Sequence, residues 1–285
     1  MLCPVVAVLL SLPAHSDAEL SAADQETLRA YAKKTWRYFE SFLSREDHYL
    51  PPDNFQARPD VGLAHRTSPT NIGLGLLSVL SAHDLGFLDA HSAGELIGKS
   101  LTTMESLEKW HGGNLCACLI ALREGLSELG FDTLARRAGE LAEAMEFSPL
   151  FDPEKKLFSI GWDAEKNEAS KSWYDLMASE ARLTSYLAVA RGQAPRKHWR
   201  RLSRALVQKD GYRGMASWSG TMFEYLMPEL LLPLLVLKPE ARLNPVEGIV
   251  IVPGFDRAKS QPVVCRRAVG ILPHNLLVHR LGMGI

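Results

Sequence analysis

Helical periodicity dominates the sequence from residue 21 to about residue 230, and this feature most restricts the fold. Apolar residues recur at intervals of three and four, so the segment that begins at Ser21 has one apolar face, which carries Leu28, Tyr31, Phe39 and Phe42. Further helical runs are predicted at about 69–83, 92–110, 114–129, 131–146, 172–190 and 196–208, and another from Ser217 or Ser219. About eight helices with short links predict an all-α architecture of helical hairpins.

Two local signals refine this pattern. Ser92 and Glu95 have the spacing of a capping box, which predicts the start of the third helix there and an end near Trp110. The stretch 149–170 interrupts the helical rhythm with two short apolar runs around a charged turn. That arrangement predicts a small β-hairpin within an otherwise helical domain.

Composition excludes several classes of function. The 285 residues are 46% apolar and 23% charged, with a net charge of -1, which is ordinary for a soluble protein and gives no reason to expect nucleic acid as a partner. Nine histidines and four cysteines are scattered without a ligand spacing. No phosphate-binding glycine loop is present. The sequence therefore predicts neither a metal site nor a cofactor.

The two ends differ from the centre. Residues 1–20 contain an apolar run of roughly a dozen residues with no preceding Lys or Arg, shorter than the ~20 residues of a membrane span. This stub is interpreted as a weak signal peptide or as the end of a membrane helix whose upstream part is missing. After residue 238 the helical signals fade. The predicted organisation is therefore an N-terminal stub, a helical domain over 21–238 and a divergent tail over 239–285.

The first candidate site segment is the loop over residues 49–69. It brings Asp53, Arg66 and Thr67 into a Pro-rich stretch, and long loops of this kind often carry function. Carboxylate, guanidinium and hydroxyl groups suit the hydroxyls of a sugar. The same residue types also satisfy turns and cap the next helix, so both interpretations stand.

The second candidate segment lies within the predicted helix over 172–190. Glu180 falls on its apolar stripe, four residues after Leu176 and three before Leu183. A carboxylate on the core side is costly unless it is paired or used in chemistry. Glu180 is therefore either a reactive acid or half of a buried ion pair with an arginine such as Arg182 or Arg66.

The third candidate segment is SWSGTMFEYLMP, residues 217–228. Glu224 stands in an apolar run, and Trp218 and Tyr225 could stack on a sugar face. The alternative is a core helix with its acid at the rim. Two glutamates on separate apolar segments nevertheless match glycoside chemistry, which uses two carboxylates about 5–5.5 Å apart for retention or about 6.5–9.5 Å apart for inversion.

Five ordered motifs connect these segments to a known family. They are LPPDNFQ (50–56), AHRTSPTNIGL (64–74), LFSIGWD (157–163), SWYDLMASEARL (172–183) and SWSGTMFEYLMP (217–228). Together they resemble the glycoamylase-like domain of cyclic β-1,2-glucan synthases, which is related to bacterial endo-β-1,2-glucanases. The resemblance covers roughly residues 21–230 and implies an (α/α)6 toroid, here an incomplete one.

The resemblance also implies a substrate and a set of site residues. The substrate would be β-1,2-glucan, and the reaction hydrolysis or a transglycosylation that closes the chain into a ring. Glu180 and Glu224 match positions in the cleft and would be the catalytic carboxylates, with no cofactor. The positions that would line the sugar subsites are Asp53, Arg66, Thr67, Trp173, Tyr174, Asp175, Trp218 and Tyr225.

Two departures from the family pattern keep a second function open. Family members carry an N-W-Y-D stretch ending in V-D-S-G-N between the equivalents of Gly112 and Gly113, and a W-G-I-S-E-S segment after the equivalent of Pro228. Neither occurs in this sequence. The alternative hypothesis is therefore a truncated, catalytically inactive fragment that serves as a glucan-binding or scaffold module.

The resemblance bears on location as well. The apolar stub fits the end of the membrane helix that precedes this domain in the synthases. That would make the protein membrane-associated, with the domain in the cytoplasm, whereas a true signal peptide would place it in the periplasm.

Overall fold

The computed structural model describes residues 20–107, 112–163, 166–209 and 212–231. The predictions for the stub up to residue 19 and for the tail over 239–285 lie outside these residues. The helices of the described part are α1 Ala22–Phe42, α2 Pro69–Asp84, α3 Ala90–Glu105, α4 Gly113–Glu128, α5 Asp132–Glu143, α6 Arg182–Ala190, α7 Arg196–Arg201 and α8 Met222–Leu231. A short 3-10 turn, Ser148–Leu150, follows α5.

Capping residues fix where the first three helices begin. Ser21 accepts the amide of Asp24 at the start of α1, and Ser68 accepts the amide of Asn71 at the start of α2. The predicted start of the third helix at Ser92 is wrong. Helix α3 begins at Ala90 because the carboxylate of Asp89 accepts the Ser92 amide at 2.9 Å, and it ends at Glu105, earlier than predicted.

The helices form an inner and an outer row. Helix α4 packs against α2 on one side and α6 on the other, and α8 contacts both α4 and α6. Helices α1, α3, α5 and α7 pack on the outside of this row. Helix α4 is buried on several faces, with Leu115, Cys116, Cys118 and Leu122 all at 0% exposure, as expected for a helix enclosed by others. The all-α prediction of helical hairpins is confirmed.

Short antiparallel strands lie in the segments between the helices. The pairs are β1 Asn54–Ala57 with β2 Asp60–Ala64, β5 Trp162–Asp163 with β6 Glu168–Ala169, and β8 Leu206–Lys209 with β9 Tyr212–Met215. A three-stranded sheet joins β3 Phe151–Asp152, β4 Leu157–Ser159 and β7 Trp173–Tyr174. The hairpin predicted near 149–170 is therefore present, and further strands accompany it.

Two predicted helices are shorter than expected. The helix predicted over 172–190 begins only at Arg182, because Trp173 and Tyr174 pair instead with Ser159 and Phe158 in the three-stranded sheet. Aromatic residues favour such half-buried strands, and here tertiary pairing outweighs the helical pattern. The helix predicted over 196–208 ends at Arg201, and the chain then enters β8.

The N-terminal ends of the inner helices meet at one end of the bundle. Gly112 lies against Pro69, the first residue of α2, and a Cβ on Gly113 would collide with Thr184 in α6. The Asn114 amide donates to the Thr70 hydroxyl at 3.0 Å and so ties α4 to α2. Glycine at the start of α4 thus allows a close approach that brings the starts of α2 and α6, and with them the loop before α2 and the turn before α6, to one end of the molecule.

Candidate functional site

Tyr174 and Glu180, two of the predicted site residues, are in direct contact. The Ser179 hydroxyl donates to Glu180 Oε2 over 3.3 Å, and the Glu180 carboxylate lies close enough to the phenol of Tyr174 to act on its pKa. Burial, followed by the charge and hydrogen bond of Glu180, raises the pKa of Tyr174 to about 12. The hydroxyl is therefore protonated at neutral pH and available to the carboxylate as a donor.

Glu180 is not on a helical stripe, so that part of the sequence interpretation is wrong. It lies in a turn just before α6, where its carbonyl accepts the amide of Leu183 at 3.4 Å. Its side chain is half-buried rather than directed into the core. The suggested partner Arg66 forms its ion pair within the described residues with Asp53 instead.

Glu224 is buried in its own loop. Its residue exposure is 5%, and it lies in the first turn of α8. One carboxylate oxygen accepts the amides of Trp218 at 2.9 Å and Ser219 at 3.2 Å; the other accepts the Ser219 hydroxyl at 2.8 Å and both the amide and the hydroxyl of Thr221. Burial opposes ionisation, but these donors outweigh it and lower the pKa of Glu224 to about 2.

The two aromatic residues beside Glu224 differ in their surroundings. Trp218 is 56% exposed, so its indole is accessible from solvent. Tyr225 is half-buried, and its hydroxyl donates to the carbonyl of Met215 at the end of β9, over 2.7 Å. Trp218 is therefore the freer of the two for contact with a ligand.

The loop residues Asp53, Arg66 and Thr67 lie together but bind mainly one another and the backbone. Asp53 accepts two N–H groups of Arg66, at 3.0 and 2.9 Å, and Asn71 Nδ2 at 3.0 Å. The hydrogen bond from Asn71, followed by that from Arg66, lowers the pKa of Asp53. Thr67 donates to the carbonyl of Pro51 at 2.6 Å. The Arg66 side chain is 75% exposed, which leaves it accessible at the surface.

Trp173 and Tyr174 point to opposite faces of β7, because successive side chains of a strand alternate. Trp173 packs against a buried cluster that contains Trp199 and Leu202, and Lys155 Nζ lies 4.8 Å from its ring centroid. Asp175 is exposed, and its carbonyl accepts the Ser203 amide at 2.7 Å. Of this group, only Tyr174 contacts Glu180.

Sequence reasoning missed the residues that hold Glu224. Thr221 and Glu224 have the S/T-x-x-E spacing of a capping box: Glu224 accepts the Thr221 amide at 3.0 Å, and the Thr221 hydroxyl accepts the Glu224 amide at 3.4 Å. The pattern TMFE carried this signal.

Asn114 was missed as well. It is 8% exposed, and its Oδ1 atom has no hydrogen-bond partner among the described residues. It lies where α2, α4 and α6 begin, which makes it a further polar group at this end of the bundle.

Within the described part of the chain, no three His, Cys, Asp or Glu side chains are grouped closely enough to hold a metal ion. The same residues include no helix with the length and apolar character needed to cross a bilayer.

Inner and outer helices of this kind define a glucoamylase-like (α/α) fold, and solved structures agree. A glucoamylase-like protein from Bacteroides fragilis NCTC 9343 superposes with a TM-score of 0.54 at 14% identity, over 74% of this chain and 60% of its own. The endo-beta-1,2-glucanase from Chitinophaga pinensis, solved with sophorotriose and glucose, gives a TM-score of 0.54 at 13% identity, over 71% of this chain and 57% of its own.

At the level of sequence, the chain is similar to the cyclic beta-(1,2)-glucan synthase NdvB of Rhizobium meliloti (strain 1021). The identity is 28% over an alignment of 382 residues, which covers 80% of this chain but 14% of the relative. Because the aligned length exceeds the 285 residues of this chain, the relative carries stretches with no counterpart here. No protein-family model matches the sequence. The resemblance inferred from the five motifs is confirmed.

Proposed function

We propose that this chain is a carbohydrate-active domain that acts on β-1,2-glucan as a glycoside hydrolase or transglycosylase. The observation that carries the proposal is the place of Glu180, a half-buried carboxylate beside Ser179 and Tyr174 in the turn before α6, at the end of the bundle where the inner helices begin. The similarity to a cyclic glucan synthase and to an endo-β-1,2-glucanase supplies the substrate class.

In this proposal Glu180 is the carboxylate that meets the glycosidic bond. It is half-buried, the Ser179 hydroxyl donates to it, and the Tyr174 phenol lies beside it. A carboxylate held in this way can exchange a proton with the glycosidic oxygen or stabilise positive charge at the anomeric carbon, the two tasks that glycoside chemistry assigns to its acids.

The sugar would extend over the exposed groups at the same end of the molecule. Arg66 offers N–H donors at the surface of the loop, and Trp218 offers an aromatic face. Asp53 acts indirectly, because its carboxylate holds Arg66 in place.

A specific observation favours a second candidate function, a glucan-binding or scaffold module without turnover. The Glu224 carboxylate is occupied by donors of its own loop, so it is poorly placed to serve as the second acid of a catalytic pair. Loss of one member of a catalytic set usually costs several powers of ten in rate.

Incubation of the purified protein with linear β-1,2-glucan, followed by mass spectrometry of the products, separates the two functions. Shortened or cyclised chains support the enzyme. Unchanged chains together with saturable binding in calorimetry support the binding module. A linear β-1,3-glucan is the matched control, and equal binding of both glucans would contradict the assigned substrate class.

A further inference from the structure

The loop over residues 217–221 is folded around the Glu224 carboxylate. Amide donors come from Trp218, Ser219 and Thr221, and hydroxyl donors from Ser219 and Thr221, at 2.8 to 3.2 Å. The Ser217 hydroxyl lies 3.4 Å from the same group. A carboxylate has about four lone-pair positions, so these donors fill its capacity to accept hydrogen bonds.

The same loop is locked by bonds that do not involve Glu224. The Gly220 amide donates to the Ser217 hydroxyl at 2.9 Å, and Gly220 has a φ of +68°, a conformation that glycine adopts without strain. Tyr225, one residue beyond Glu224, anchors the start of α8 to the carbonyl of Met215. The loop is therefore a rigid turn between β9 and α8.

This rigid loop presents Trp218 to solvent. The main chain of Trp218 is held by Glu224 through its amide, whereas its indole is 56% exposed. Met222 and Phe223, at the start of α8, are 50% and 44% exposed. A large aromatic side chain on a fixed backbone beside other exposed apolar groups is suited to stack on a flat apolar face, such as that of a glucose ring.

We propose that Glu224 is a positioning residue that acts through Trp218. Its carboxylate holds the loop so that the indole forms one wall of a glucose subsite, and it does not transfer a proton to the substrate. This inference rests on the proposed function, because it names how one subsite for β-1,2-glucan is built. It also assigns the two conspicuous glutamates different tasks, with Glu180 facing the reaction and Glu224 supporting the binding surface.

A double-mutant cycle on glucan binding tests the proposal. The variants are Glu224→Gln, Trp218→Ala and the combination, titrated calorimetrically with linear β-1,2-glucan. Each single change should weaken binding about tenfold, the order of one aromatic contact, and the double variant should be no weaker than Trp218→Ala. The exposed acid Glu95 on α3 provides the matched control, and Glu95→Gln should leave binding unchanged.

The inference is overturned if Glu224→Gln leaves glucan binding unchanged, or if it weakens binding as much without Trp218 as with it. If the chain turns over glucan, Glu224→Gln should raise KM with little change in kcat, as expected when uniform binding is lost. A fall in kcat of a hundredfold or more at unchanged KM would instead make Glu224 a catalytic acid.

A fluorescence measurement keeps the inference testable if the wild-type protein binds no β-1,2-glucan, in which case the proposed function fails. Acrylamide quenching of wild-type protein and of Trp218→Phe isolates the contribution of Trp218. Glu224→Gln should increase the quenching of that contribution, and so should the donor variant Ser219→Ala/Thr221→Val. If neither variant changed the quenching of Trp218, the positioning role of Glu224 would be contradicted, whether or not the protein binds glucan.

Discussion

Leu183 and Met227 belong to one buried cluster, and each lies three residues after a candidate carboxylate, Glu180 and Glu224 respectively. This packing joins the first turn of α6 to α8. Two glutamates that are 44 residues apart in sequence therefore lie on neighbouring elements. Their surroundings differ, however: Glu180 is half-buried against a phenol, whereas Glu224 is enclosed by amides and hydroxyls of its own loop.

The first prediction concerns Glu180. Glu180→Gln keeps the shape of the side chain but removes its charge and proton, so glucan turnover should fall by about 10²–10⁴, the usual contribution of a general acid or base. Binding of linear β-1,2-glucan should change little. Steady-state kinetics and calorimetry on the same preparation measure both quantities. Turnover that survives this substitution would remove Glu180 from the chemistry.

The second prediction concerns Tyr174, whose phenol lies beside Glu180. Tyr174→Phe removes only the hydroxyl, so it should reduce turnover about tenfold, less than Glu180→Gln, because one neutral donor to the carboxylate is lost. In the Glu180→Gln background the same change should have almost no further effect. The control is Tyr38→Phe, which removes a hydroxyl bound to the Pro52 carbonyl. A Tyr174 effect that adds fully to that of Glu180 would show that the two act independently.

The third prediction concerns stability in acid. The pKa of Glu224 is lowered from 4.5 to about 2, so its contribution to the free energy of unfolding is complete above pH 4.5 and is lost as the pH falls toward 2. The shift corresponds to about 3 kcal/mol. The free energy of unfolding, measured with denaturant at several pH values, should therefore change by about 3 kcal/mol less in Glu224→Gln than in wild type between pH 4.5 and pH 2. Parallel curves for the two proteins over this range would contradict the enclosed carboxylate.

The fourth prediction concerns His198, a fully buried histidine on α7. Its Nδ1 atom lies 2.9 Å from the Lys156 carbonyl and its Nε2 atom 2.9 Å from the Ser185 hydroxyl. A carbonyl only accepts, so Nδ1 carries the proton and Nε2 accepts from serine. Burial lowers the pKa of His198 in the folded protein. As the pH falls through about 6.5, this imidazole therefore becomes protonated in the unfolded chain but stays neutral in the folded chain. Stability should therefore fall as the pH drops below 6.5, and His198→Gln should remove this loss.

His65 is a control of opposite sign for that measurement. The hydrogen bond and charge of Asp47 raise the pKa of His65, so its stabilisation is present below pH 6.5 and is lost as the pH rises through the folded pKa. Unfolding curves of His65→Gln should therefore lose stability relative to wild type at the acid side of this range. If both histidine variants changed the pH dependence in the same direction, the assignment of buried and paired histidine would be wrong.

The fifth prediction concerns the loop over 49–69. Asp53→Asn weakens the acceptor for Arg66 and Asn71, so amide hydrogen exchange should increase in residues 53–68, and glucan affinity should fall. The exposed Asp60 in β2 offers a matched control, since Asp60→Asn removes an acid from the same hairpin. Equal exchange in wild type and Asp53→Asn would mean that the ion pair does not order the loop.

The sequence predicted the helical architecture well because the outer helices α1, α3 and α5 carry their apolar residues on one face, at intervals of three and four. Ser21 also marked a true helix start, and the second helix begins at Pro69, as predicted. The start of α3 was misplaced because Asp89, three residues before Ser92, provides a better-placed acceptor than the predicted capping box. Trp173 and Tyr174 were assigned to a helix because their pairing partners, Ser159 and Phe158, lie distant in sequence and local periodicity does not report them.

The candidate site was predictable as a set of segments but not as a set of contacts. Glu224 was noticed as an acid in an apolar run, yet its donors come from main-chain amides, which residue types do not reveal. Conversely, the contact between Tyr174 and Glu180 depends on the strand that replaces the predicted helix. The hydrogen bonds of Thr67 and Asp53 show that much of the polar loop satisfies itself, one of the two interpretations that residue types left open.

Calorimetric titration of the folded protein with linear β-1,2-glucan, compared with the Trp218→Ala variant, tests the central claim most directly. The proposed carbohydrate function predicts a saturable heat for the wild type, weakened about tenfold without the indole. No saturable heat from a protein whose circular dichroism shows intact helices would contradict it.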